Sequence, residues 1–249
     1  MHAVILLAGY GSRLNRDDLP HKCLLPFNEE TLLSRHLSCL KVLGIECVHL
    51  VVGHNKEAVK EYVHSLNPGL GYNFVDNDAY LTTGNTLSMI MGLRHCNGDV
   101  LILDGDVLYP RSAFIEYVKR SAPTSFALVS SDIGNIESAK VLIGSSGAIK
   151  AFVTKRALTL EERAQFRFGG EAIGFFKLSS SDVKEFIALY ENNESKYLTA
   201  LWEIPFTDFA KDVNLLPWSI KEGGCFEIDT PEDYEEALAS FFKNREKYR

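Results

Sequence analysis

Arg13, Lys22, Asp104, Asp106 and Asp229 are the side chains whose types and surroundings suit chemistry on a phosphorylated molecule. Arg13 belongs to the loop Leu7-Ala8-Gly9-Tyr10-Gly11-Ser12-Arg13-Leu14, whose two glycines let backbone N–H groups approach an anion with no Cβ in the way. Pro20-His21-Lys22 follows and brings a second cation. Two fixed cations beside an exposed row of amides are what a nucleoside triphosphate and its departing pyrophosphate need. The loop is not a dinucleotide fingerprint, because Leu14 stands where the third glycine should be, and no Gly-Lys-Ser/Thr run marks a P-loop. Two glycines alone would fit an ordinary turn between strand and helix; Arg13 and Lys22 together carry the reading further.

Asp104-Gly105-Asp106 ends an apolar run. In a strand, residues i and i+2 point the same way, so both carboxylates are expected to face one site. Hard oxygen ligands at this density suit Mg²⁺, held through one or two carboxylates plus substrate phosphates. Asp229 precedes Thr230-Pro231, at the start of the last predicted helix. The plainer alternatives are a turn contact for Asp104 and a helix cap for Asp229.

Such residues must be positioned by regular elements, and the hydrophobic pattern supplies them. His2–Leu7, Cys47–Val52, Tyr72–Val75 and Val100–Leu103 read as strands, alternating with helices at Thr31–Leu43, about Lys56–Leu66 and Thr86–His95. This rhythm predicts an α/β fold, a Rossmann-like mixed, mostly parallel sheet flanked by helices, with ligands beyond the carboxyl ends of its strands. From about residue 124 the pattern changes. Ser125–Val129, Lys140–Ile143, Ala148–Val153 and Ala172–Lys177 read as antiparallel additions to the same sheet. Helices are expected at Ser180–Tyr190, Lys196–Ala210 and Pro231–Lys247, and lid-like loops at Arg163–Gly170 and Asn192–Lys196. No linker or composition shift divides the chain, so one domain over 1–249 is expected, with a nucleotide-binding half to about 123 and an acceptor-binding half from about 124.

The 249 residues carry 26 Lys and Arg against 33 Asp and Glu, a net charge of −7, which argues against a nucleic-acid binder. Five cysteines with no C-x-x-C pair suit a reducing compartment, and neither they nor the seven histidines show metal-ligand spacing. No apolar run is long enough for a membrane helix or a signal peptide, so a cytoplasmic protein is expected. A homodimer is left open.

Gly9-x-Gly11-x-Arg13 followed by Pro20 and Lys22-x-Leu24 resembles the signature of nucleotidyltransferases that join a nucleoside monophosphate to a phosphorylated sugar or alcohol, and which share a GT-A-like fold. His21 is inserted between the proline and lysine that the family keeps adjacent. The resemblance implies that Asp106 and Asp229 hold the metal, with Asp104 a third candidate. Lys155 falls where the family places a phosphate-contacting lysine, and Gly170-Glu171-Ala172-Ile173-Gly174 is similar to its acceptor segment. Thr83-Gly84-Asn85-Thr86-Leu87-Ser88-Met89 is similar to the Thr-Asn-Asn-x-x-Ser-Leu segment of choline-phosphate and aminoethylphosphonate cytidylyltransferases, departing from it at Gly84.

The resemblance implies Mg²⁺-dependent transfer of CMP from CTP to a small phosphorylated or phosphonylated acceptor, with Arg13 and Lys22 as the catalytic cations. The nucleotide is then expected against Leu7, Ala8, Gly9, Gly11 and Ser12, its base read by Thr83, Asn85 and Ser88, and the acceptor held by Lys155 and Glu171. Asn85 is equally readable as a helix cap. Trp202, Tyr197, Phe206 and Trp218 would enclose a quaternary ammonium if they faced the site, although aromatics in such segments are more often core. Competing readings are a uridylyl- or thymidylyltransferase acting on a sugar 1-phosphate, a D-x-D glycosyltransferase, and a silent nucleotide-binding subunit.

Overall fold

The computed structural model describes residues 1–16 and 18–249. In chain order the main elements are β1 (His2–Leu7), α1 (Leu32–Val42), β2 (Cys47–Val52), α2 (Lys56–Leu66), β3 (Gly71–Asp76), α3 (Asn85–Leu93), β4 (Val100–Asp104) and α4 (Arg111–Arg120). They continue with β5 (Ser125–Val129), β6 (Lys140–Ile143), β7 (Ile149–Val153), α5 (Leu160–Gln165), β8 (Arg167–Leu178), α6 (Ser180–Asn192), α7 (Glu194–Tyr197), α8 (Glu203–Phe209), β9 (Leu216–Ser219), α9 (Pro231–Lys243) and α10 (Arg245–Tyr248).

All nine strands form one sheet. β1 pairs in parallel with β2 on one side and β4 on the other, and β2 pairs in parallel with β3. β1, β2 and β4 are largely apolar on both faces because helices cover both, whereas β3, at the edge, is mostly half-exposed. The strand order reverses between β1 and β4, so their carboxyl ends open a crevice. The register sets Leu6 beside Asp104 and puts the glycine loop next to the Asp104–Asp106 turn.

The later strands are mostly antiparallel additions. The twelve residues of β8 pair with β6 through Arg167–Glu171 and with β4 through Phe175–Leu178, while β5 pairs along Glu171–Lys177. Gly169 and Gly170 belong to this strand and α5 precedes it, so Arg163–Gly170 is not a lid loop. A register shift between Phe168 and Gly170 accommodates the glycine pair that reads as a loop. Asn192–Lys196 is also not a loop, being the end of α6 and the start of α7. The helix expected over Lys196–Ala210 is broken by Leu198–Leu201 into α7 and α8. Leu216–Ser219 is a strand that the pattern hides, because Pro217 lies inside it; it pairs in parallel with β5.

Candidate active site

Gly11 takes a left-handed conformation (φ 66°), which turns the chain after β1 and leads into the 3-10 turn Ser12–Leu14. Arg13, on that turn, reaches out with Nη2 2.8 Å from Asp229 Oδ2. Lys22 opens a second 3-10 turn, capped by His21, whose Nδ1 accepts from Cys23 N–H at 3.2 Å. The inserted histidine is buried there, and burial and the adjacent Lys22 push its imidazole down to about 4. Lys22 still reaches the site. Its ammonium donates to Asp106 Oδ2 and to Asp229 Oδ1, the latter at 3.2 Å. Burial alone would lower this ammonium, but Asp106 and Asp229 outweigh it and raise it.

β4 ends at Asp104, so Asp106 lies in the following turn and not two residues further along a strand. The carboxylates meet for another reason. Phe226–Glu227 pairs antiparallel with Val107–Leu108, and Ile228 N–H donates to Asp106 O at 3.0 Å, which delivers Asp229 beside Asp106. Asp229 is not the cap of α9. Thr230 caps it, and Asp233 Oδ2 accepts from both Asp229 N–H and Thr230 N–H, fixing the backbone at Asp229. Asp106 Oδ1 is buried with no hydrogen-bond partner. Asp104 Oδ2 accepts from Trp202 Nε1 at 3.3 Å, and its carboxyl is pushed up by burial, then by Asp106 and Glu203.

A cavity of about 490 Å³ extends from these groups toward β8. Ala8, Gly9, Thr83, Asn85 and Ser88 line it, as do Lys155 and Glu171. Leu7 instead packs its side chain into the core, and Gly11 and Ser12 lie outside the cavity wall. Ser88 Oγ already accepts from Asn77 Nδ2 at 2.9 Å. Asn85 is the first residue of α3 and not its cap; its Oδ1 accepts from Trp202 N–H at 2.9 Å. The Leu198–Leu201 segment covers that helix start, with Gly84 N–H donating to Leu198 O at 2.9 Å. A Cβ at Gly84 would lie 2.0 Å from Ala200 O, so the asparagine of the resembling segment does not fit here.

Among the four aromatics, Trp202 lines the cavity, whereas Tyr197 and Phe206 are buried in the core and Trp218 packs toward Tyr117. Sequence reasoning passed over Glu203 and Glu227. Both line the cavity. Glu203 is buried, its Oε2 has no partner, and burial pushes its carboxyl up to about 7. Its one sequence signal is an acid beside the apolar residues of a short helix.

A model of the MobA-like NTP transferase domain matches residues 3–155. The chain is 26% identical over 266 aligned positions to the CMP-5'-(3-aminopropyl)phosphonate synthase of Streptomyces rubellomurinus, covering 100% of this chain and 40% of that protein. It is 27% identical over 204 positions to the bifunctional protein GlmU of Marinobacter nauticus, covering 80% and 43%. The chain therefore spans less than half the length of these relatives. Its fold is that of the CTP:phosphocholine cytidylyltransferase of Streptococcus pneumoniae (TM-score 0.73, 17% identity, 96% and 97% of the two chains). It is also that of the inositol-1-phosphate CTP transferase of T. maritima (TM-score 0.74, 20% identity, 96% of each chain). A glycine loop, two cations and paired aspartates thus meet on a fold shared with nucleotidyltransferases, and the chain belongs to the family of MobA-like NTP transferase domains.

Proposed function

We propose that this chain is a cytidylyltransferase that moves CMP from CTP to a small phosphorylated or phosphonylated acceptor, releasing pyrophosphate. The observation that carries the reading is the meeting of Arg13, Lys22, Asp106 and Asp229 in a cavity that Lys155 and Glu171 also line. The choice of CTP rests on the similarity to the CMP-aminopropylphosphonate synthase, which aligns over the whole of this chain.

The residues suit a divalent cation. Asp106 keeps one buried oxygen without a partner, and Asp104, Glu227 and Asp229 also open onto the cavity. Asp106 and Asp229 would hold Mg²⁺, which when bound supplies positive charge against the phosphates. The acceptor oxygen is already anionic, so no general base is required. It attacks the α-phosphorus, forming one P–O bond as the bond to the β-phosphate oxygen breaks and pyrophosphate leaves with the electron pair. Catalysis is then alignment and charge neutralisation. Lys22 holds the α-phosphate, Arg13 the leaving pyrophosphate, and Lys155 the phosphate or phosphonate of the acceptor. Gly9 and Ala8 bring backbone to the nucleotide, with Thr83 and Asn85 beside the base.

The test is pyrophosphate release with Mg²⁺, each of four nucleoside triphosphates, and a panel of acceptors including phosphocholine, aminoalkylphosphonates, inositol phosphate and sugar 1-phosphates. Turnover with CTP alone is expected. Turnover with UTP or dTTP in preference would overturn the base assignment, and release of nucleoside diphosphate from a sugar nucleotide would overturn the reaction itself.

A further inference from the structure

Away from the cavity, at the amino-terminal side of the parallel strands, the fold assembles a cluster that linear spacing does not reveal. His2 opens β1, His49 lies on β2, and Cys96 follows α3. One ligand atom from each lies within 4.8 Å of the other two. His2 Nδ1 and His49 Nε2 are 2.9 Å apart, with the rings stacked at 5.2 Å between centroids.

The proton positions follow from the partners. His2 Nε2 is 2.7 Å from Asn97 Oδ1, and an amide oxygen only accepts, so Nε2 carries a hydrogen and donates it. Nδ1 faces His49 Nε2, and the two nitrogens share one hydrogen. A ring whose outer N–H is held by a carbonyl oxygen, with its other nitrogen turned toward a second ligand, is how metal-bound histidines are oriented. His49 is only 4% exposed, and its Nδ1 has no hydrogen-bond partner. The Cys96 thiol makes only a weak contact to Gly92 O at 3.5 Å. Nothing in the nucleotide site uses these groups.

We propose that His2, His49 and Cys96 form a transition-metal site of the zinc class, which ties the start of β1 and the α3–β4 connection to β2. Two imidazoles and a thiolate select a borderline-soft ion over Mg²⁺. Metal–nitrogen distances of about 2.0–2.1 Å and metal–sulfur of about 2.3 Å separate tetrahedral ligand atoms by roughly 3.3–3.7 Å. The cluster reaches that spacing when His2 and His49 part by a few tenths of an ångström and the Cys96 thiol, within 4.8 Å of both, closes on them. Binding expels the Cys96 thiol proton to solvent, moves the hydrogen shared by the two imidazoles to the unpartnered His49 Nδ1, and leaves a fourth position for water.

The test uses untagged protein stripped with a chelator, then titrated with Zn²⁺ against a competing chelator, and separately with Co²⁺. One tightly held equivalent of Zn²⁺, a thiolate-to-cobalt charge-transfer band, and protection of Cys96 from alkylation in peptide maps are expected. His2→Gln and Cys96→Ser should abolish the cobalt band. Asn97→Ala should weaken binding by about ten- to a hundredfold. His2 and Asn97 are at least partly exposed, so those variants are expected to fold, with circular dichroism as the check. The proposal fails if wild-type protein retains no Zn²⁺. It also fails if binding survives His2→Gln and Cys96→Ser unchanged, or if binding is lost in Asp106→Asn instead.

Discussion

Lys22 is held by Asp106 and Asp229 at once, so one side chain balances two carboxylates that no other described lysine touches. If it holds the α-phosphate, Lys22→Met should slow pyrophosphate release about 10²–10³-fold, in line with about 2.7–4 kcal/mol for a lost oxyanion donor. Asp106→Asn should act at least as strongly, and saturating Mg²⁺ should not rescue it; both are read in a continuous pyrophosphate assay. Glu203 makes a different prediction. An acid with an ordinary value of 4.5 that is pushed to about 7 holds its proton more tightly folded than unfolded. The stability it contributes is present below about 4.5 and lost as the pH rises through about 7, amounting to about 3 kcal/mol. Denaturant unfolding in chelator should therefore show wild type losing stability relative to Glu203→Gln across that range, and parallel pH profiles would refute it. Arg13, Lys22 and Asp106 were legible because glycine spacing and an apolar run ending in acids are written locally, whereas only the family resemblance grouped Asp229 with them. Glu203 was not, because its burial comes from α8 packing beneath the cavity.

Elements carry the next layer. The start of α3 and the Leu198–Leu201 segment are joined by backbone hydrogen bonds through a contact that only glycine permits at position 84. Gly84→Asn should push that segment away, costing about 1–3 kcal/mol by overpacking and displacing Trp202 from Asn85; unfolding midpoints and Trp fluorescence report the two effects. At the other wall, Asp233 both completes the cap of α9 and accepts from Asp229 N–H. Asp233→Ala should cost about 1 kcal/mol of stability and also lower turnover, whereas a pure cap loss would spare the rate. The strands of the parallel core were legible almost to the residue, since helix cover on both faces demands uninterrupted apolar runs. Arg167–Gly170 and Leu216–Ser219 were not, because a glycine pair and a proline read as breaks until their pairing partners are known.

At the scale of the whole molecule, strand order is not written in local pattern. The reversal between β1 and β4, which joins the glycine loop to the aspartates, follows from how crossovers pack. Binding at that crevice stabilises the folded chain by about 2.7 kcal/mol at a hundredfold excess over Kd. CTP with Mg²⁺ should accordingly raise the unfolding temperature more than UTP with Mg²⁺, and an equal rise would count against CTP selectivity.

β8 runs from Glu171, which lines the cavity, through a bulge at Gly174 (φ 65°) to Phe175–Leu178 alongside β4, whose last residue is Asp104. Because β5 pairs with it on both sides of that bulge, the strand works as a ruler here and not as a hinge. If acceptor and nucleotide bind as proposed, the gap between them is set when the sheet forms, and side chains and short connections bring them together with no swing of one half against the other. Small-angle scattering should then return the same radius of gyration with and without bound nucleotide and acceptor.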